Sequence, residues 1–153
     1  MSVFDSGRNR FAAGVRSVGS YQVAGVPWIT GSITLAHTVT DKITFPTIAK
    51  SVTVCNIDGI DGVDDGVALQ VHFNSTSDGD VIGGKHFVPL WADKQSIKVF
   101  TKCKEIYVTN YGRASDGADL GVGKYYVFAE LTGIQANEMF SLTGSGLTTI
   151  DGT

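Results

Sequence analysis

The residues best placed to do chemistry are the aspartates of the run Asp58-Gly-Ile-Asp61-Gly-Val-Asp64-Asp65. Carboxylates and carbonyls converging on one loop suit Ca²⁺, which takes six to eight oxygen ligands. An EF-hand loop would need a Glu eleven residues after its first Asp. Counting from Asp58 reaches Leu69, and counting from Asp61 reaches His72. The expectation is a solvated acidic loop, with no metal and no cofactor assigned.

Hydrolysis would need a nucleophile beside a base, or two carboxylates facing a cleft. The chain has no Gly-x-Ser-x-Gly elbow, and Gly144-Ser145-Gly146 lacks its spacing and its strand-to-helix setting. His37, His72 and His86 fall in separate segments, and Glu130 has no acidic neighbour along its strand. Ile82-Gly83-Gly84-Lys85 lacks the spacing and the following helix of a phosphate loop. Cys55 and Cys103 each fall in an expected strand and read as buried free thiols. With three scattered His they offer no metal-ligand spacing. The sequence assigns no catalytic residue.

The remaining charged constellation is Arg8, Arg10 and Arg16, interleaved with Phe4 and Phe11 in the first twenty residues. Three cations release few counterions, so nucleic acid is a weak fit. The apolar residues Phe4, Phe11, Val15 and Val18 want a groove, which an acidic protein surface would supply with an anchor for the arginines. The other end repeats the pattern with Ile134, Met139, Phe140, Leu142 and Leu147. Both ends are rich in Gly, Ser and Thr. Arms of this composition bury too little apolar surface to offset their conformational entropy. They take a defined shape only against something outside the chain. Residues 1–19 and 133–153 are therefore read as partner-binding arms flanking a domain at 20–132.

The elements between the arms are short strands. The 153 residues suffice for one domain, and 42% hydrophobic with 10% aromatic content is globular. Charged residues make up only 18%, below the roughly 25% usual for soluble domains, as suits a surface partly covered by neighbours. The net charge of −3 gives no overall attraction to nucleic acid or an anionic membrane. No apolar run reaches the ~20 residues of a membrane span, and no signal-peptide core opens the chain. Alternation predicts strands over Val26–Leu35, Lys42–Phe45, Ser51–Ile57, Val67–Phe73, His86–Leu90, Ser96–Thr101, Glu105–Asn110 and Lys124–Leu131. Pro46 ends the second, and only Gln135–Phe140 looks briefly helical. Val67, Leu69, Val71, Ile106, Val108, Val127 and Ala129 fall on the inward faces. The fold class is all-β, an antiparallel β-sandwich of jelly-roll type with extended N- and C-terminal arms.

Three stretches together carry a family likeness. They are Val18-Gly-Ser-Tyr-Gln-Val-Ala-Gly-Val-Pro-Trp-Ile-Thr-Gly31, Lys102-Cys-Lys-Glu-Ile-Tyr-Val-Thr109, and Phe128-Ala-Glu-Leu-Thr-Gly-Ile134 with Ser141-Leu-Thr-Gly-Ser-Gly-Leu147. Together they resemble small virion structural proteins of tailed phages, particularly cyanophages and other marine phages. The resemblance implies a non-enzymatic sandwich on the particle, of the capsid decoration or cement type. Its partners would be the major capsid protein or other virion subunits, with several copies of the chain assembled on the particle. The acidic loop at 58–65 is longer than the pattern of that group, and no functional role is carried onto it. The alternative is a tail, neck or fibre module that binds a host receptor or glycan through exposed aromatics such as Trp91, Tyr107, Tyr111 and Tyr126.

Overall fold

A computed structural model describes residues 25–57, 67–74, 86–92, 95–112 and 121–139, and the backbone alone of 142–143 and 147–148. Seven strands form the body: β1 (Val26–Leu35), β2 (Thr40–Asn56), β3 (Ala68–His72), β4 (Val88–Leu90), β5 (Ser96–Val99), β6 (Cys103–Gly112) and β7 (Gly123–Gln135). A 3-10 turn at Ala136–Glu138 follows, where the sequence showed its one helical hint. A separate pair joins β8 (Leu142–Thr143) to β9 (Leu147–Thr148). All of these pairings are antiparallel.

The strand that organises the body is β2. Its first half, Thr40–Thr44, pairs with β6, whereas Ser51–Asn56 pairs with β7 and, at Val52–Cys55, with β5. Between the halves the register shifts on both sides. Pro46 lies in that interval and is exposed, so its missing N–H disturbs no regular ladder. The expectation that Pro46 ends a strand is thus corrected. The segments around 42–45 and 51–57 are one strand, bent where the proline can be tolerated.

The bend divides the hydrogen-bonded sheet into two leaves. One runs β1-β7-β2-β5 through the second half of β2; the other runs β2-β6-β3-β4 through its first half. When the halves of β2 are counted as strands two and three, the leaves read 1-8-3-6 and 2-7-4-5. That is the strand order of a jelly roll. Their inner faces share one core, in which Phe45, Val52, Val54, Leu69, Ile106, Val108, Val127 and Ala129 are at most 1% exposed. The period-2 alternation of each strand explains this, since it sends every second side chain to the same face. Where Gly123 on β7 faces Leu69 on β3, an added Cβ would stand 2.9 Å from Leu69 Cδ2, so the leaves meet closely there.

Polar side chains stitch the leaves at one end of the sandwich. Asn110 Nδ2 donates to the carbonyls of Leu35 (2.8 Å) and Gly121 (2.9 Å), and its Oδ1 accepts from Gly112 N. Asn56 Nδ2 donates to the carbonyls of Val67 (2.7 Å), Leu90 (3.1 Å) and Trp91 (3.2 Å). The buried Tyr125 hydroxyl donates to Asp41 Oδ2 at 2.8 Å. Burial and that bond push the phenol above its ordinary value. Beside Asn110, Gly112 takes φ +87° under the His37 ring, where a Cβ would come within 2.6 Å, so glycine is required twice over.

Chain entry and exit share the opposite end. Gly25 abuts Glu130, and Val26 pairs with Leu131. Beyond it, β7 continues to Gln135, and Met139 packs with Ile48 and Ile134 in a small cluster of its own. The start of the arm read at 133–153 is corrected here. Ile134 is fully buried, Met139 is 7% exposed, and Lys104 Nζ donates to the Met139 carbonyl, so the body extends through Met139. Met139 therefore belongs to the sandwich and does not serve as a free anchor.

Candidate functional site

The outer face of the β2-β6-β3 leaf carries the most ordered polar array. His72 Nδ1 contacts the Asn74 carbonyl, and Nε2 lies 2.8 Å from Thr109 Oγ1. A carbonyl only accepts, so Nδ1 holds the proton and Nε2 accepts from the Thr109 hydroxyl. Thr109 Oγ1 in turn lies 2.6 Å from Thr40 Oγ1, across the β2–β6 pair. The His72 ring stacks on Tyr107 at 5.5 Å. Beside it, Lys42 bridges to Glu105 at 2.8 Å, and Tyr107 donates to the same carboxylate at 3.0 Å. Burial pushes the Glu105 carboxyl up, but the bonds from Lys42 and Tyr107 outweigh it and hold the group below its ordinary value. Lys42 is raised in turn, chiefly by its bond to Glu105.

A hydroxyl on an imidazole held by an acceptor has the outline of a nucleophile, base and orienter. Its setting argues for structure instead. His72 is fully buried and Thr109 sits on the middle strand of three, so the relay couples β3, β6 and β2. Alternation placed His72 on the outward side of β3, yet the residues of β3 are buried on both faces. No local pattern marked Thr109 and Thr40 as its partners, because their meeting depends on the register of two non-adjacent pairings.

Burial holds the His72 imidazole below its ordinary value, with the bond to Asn74 pulling weakly the other way. The unfolded chain thus takes up a proton at a higher pH than the folded one. The associated stability is complete above about pH 6.5 and is lost as pH falls below it. We expect the thermal midpoint to drop between pH 7 and 5, by at most about 1.4 kcal/mol of stability per pH unit. His72→Gln should flatten that slope; an unchanged slope would show that the proton is taken up elsewhere.

The outer face of the other leaf is more apolar. Ile29 pairs with Phe128 and Gly31 with Tyr126, while Thr53 and Cys55 pair with the same two β7 residues from the far side. Glu130 accepts a short bond from the Ser51 hydroxyl and faces Lys98 at 3.6 Å. The Ser51 bond, more than Lys98, lowers its carboxyl from the ordinary value. The sequence had left Glu130 without a partner, and its neighbours prove to be a hydroxyl and a cation.

At the stitched end, Leu90, Leu69 and Asn110 align across β4, β3 and β6. Trp91 follows Leu90 directly, and Tyr111 falls in the irregularity of β6 between Asn110, opposite Leu69, and Gly112, opposite Ala68. Trp91 is 50% and Tyr111 65% exposed, and Tyr126 is exposed too, whereas Tyr107 is buried against His72. Comparison with protein-family models, with curated proteins and with solved structures finds no match for this chain. Among the described residues, no three His, Cys, Asp or Glu gather as a metal would need, and no helix is long and apolar enough to cross a membrane. The acidic run 58–65 lies outside the described residues, as do Phe4, Arg8, Arg10, Phe11, Arg16 and Phe140; of Leu142 only the backbone is described.

Proposed function

We propose that this chain is a structural subunit of a tailed-phage particle. It acts as a cement or decoration protein that braces capsid subunits through segments flanking its jelly roll. One observation carries the reading: the chain enters at Gly25 and leaves after Met139 at the same end of the sandwich. The flanking segments that carry Phe4, Phe11 and Phe140 therefore join the body at one end, and in this reading they grip one neighbouring surface together. The low charge and the likeness to phage virion proteins support the same reading.

Each large side chain that becomes fully buried contributes about 1.5–3 kcal/mol, whereas an exposed ion pair contributes about 0–1 kcal/mol and is screened by salt. Purified chain added to particles assembled without it should therefore co-sediment and stay bound at 1 M salt, taken as roughly a 3 Å screening length. Phe11→Ala or Phe140→Ala should weaken retention by roughly tenfold or more, since 1.4 kcal/mol is a factor of ten. Release by salt with neutral Phe substitutions would mean that Arg8, Arg10 and Arg16 anchor to an acidic surface or to nucleic acid. A full-length chain that never sediments with particles would end the proposal.

A second reading rests on Trp91 and Tyr111, both exposed at the stitched end of the sandwich. Exposed flat rings suit the apolar faces of a sugar, which would make the chain a receptor- or glycan-binding module of the tail, neck or fibre. Glycan-array binding abolished by Trp91→Ala would favour it over the cement reading.

A further inference from the structure

We infer that β1 is a docking edge for a second copy of this chain, paired antiparallel about a two-fold axis at Gly31. Natural sheets blunt their edges with short strands, prolines or charges. Here β4 is three residues long and contains Pro89, and β5 is four residues long and carries Lys98. The first half of β2 carries Asp41 and Lys42. By contrast β1 is ten residues long, and among the described residues nothing pairs with its outer edge. No Asp, Glu, Lys or Arg occurs between Arg16 and Asp41. Its one proline, Pro27, lies near the start.

The sequence of that edge says what fits it. Ile29-Thr30-Gly31-Ser32-Ile33 reads almost the same in both directions about Gly31. Antiparallel pairing with a second copy sets Ile29 against Ile33 of the partner subunit, Thr30 against Ser32 of the partner subunit, and Gly31 against itself. Like meets like at every position, as an isologous interface requires. Ile29 is 69% and Ile33 60% exposed, and Ile29, paired with Phe128, points to the outer face with Tyr126 and Phe128. Tyr126 lies over Gly31, since a Cβ there would stand 2.6 Å from its Cδ1. The axis would thus bring four isoleucines and two tyrosines into one apolar strip. Between Ser32 and Leu35, β1 takes three steps against two on β7, a bulge that takes in Ile33 and ends the regular ladder with β7 at Ser32.

The inference is independent of the cement reading, because it is tested on the free chain without particles. Sedimentation equilibrium of the full chain should give twice its 16.2 kDa mass. Ile29→Lys with Ile33→Lys should return the single-chain mass with an unchanged circular dichroism spectrum, since both side chains face solvent in one copy. Register is tested by cross-linking in a Cys55→Ser background. Cys103 needs no replacement, because burial pushes its thiol up to about 12. Ile29→Cys combined with Ile33→Cys should form reducible dimers on oxidation, and neither change alone should do so. A single-chain mass for the unaltered protein, whatever else covers β1, would overturn the proposal. So would a dimer indifferent to the lysines, or equal cross-linking by the single cysteine variants.

Discussion

Replacing Phe45 by alanine should remove about 3–5 kcal/mol of stability, the range for truncating a large buried aromatic. Phe45 is 1% exposed and meets Trp28 edge-on, with ring centroids 5.2 Å apart and planes at 83°. It stands where β2 leaves one leaf for the other, so the cavity would open at the bend that both leaves share. Urea unfolding should show a lower midpoint with little change in slope if the fold is kept. Phe45→Leu should cost much less, because most of the volume remains. Equal losses for the two changes would mean that the aromatic contact with Trp28, and not the filled space, is what matters.

The second large effect is expected at Asn110. Alanine there would strip partners from the carbonyls of Leu35 and Gly121 and from the N–H of Gly112. Each polar group left buried and unsatisfied costs about 1–3 kcal/mol. A total of at least about 3 kcal/mol follows, read as a fall in the thermal midpoint. Asn110→Leu, which restores the volume, should rescue little of it, and full rescue would show that the carbonyls reach water once the amide is gone. Asn56, with its three carbonyls, should behave in the same way.

How far the sequence carried the reading can be judged from particular residues. Val67, Leu69, Val71, Ile106, Val108, Val127 and Ala129 are all buried as alternation required, because side-chain period is a local property of an extended chain. Strand positions were legible for the same reason. Pro46 misled, since proline ends strands only where its N–H is needed, and need depends on neighbours that the local pattern does not reveal. Met139 misled because a partner of its apolar side chain, Ile48, is 91 residues away. The polar arrays were out of reach. Whether Thr109 meets His72, or Asn110 meets the Leu35 carbonyl, is decided by pairing register across the whole sheet, and composition says nothing about that.

The undivided course of β2 has a consequence for motion. A jelly roll whose two leaves were joined by a loop could open like a book, each leaf keeping its own hydrogen bonds. With one strand running through both, an inner member of one leaf and the edge of the other, neither leaf can separate without pulling its half of β2 from the ladder, so partial opening gains little freedom and exposes much apolar surface. The central amides of β2, at Val52 to Val54 above all, should therefore exchange with deuterium only as fast as the entire body unfolds. The outer strands β4 and β5 can fray singly and should exchange sooner. The same continuity delays folding, because strands far apart in the chain must gather on β2 before either leaf is complete. A body built in this way is slow to form and gives little warning before it fails.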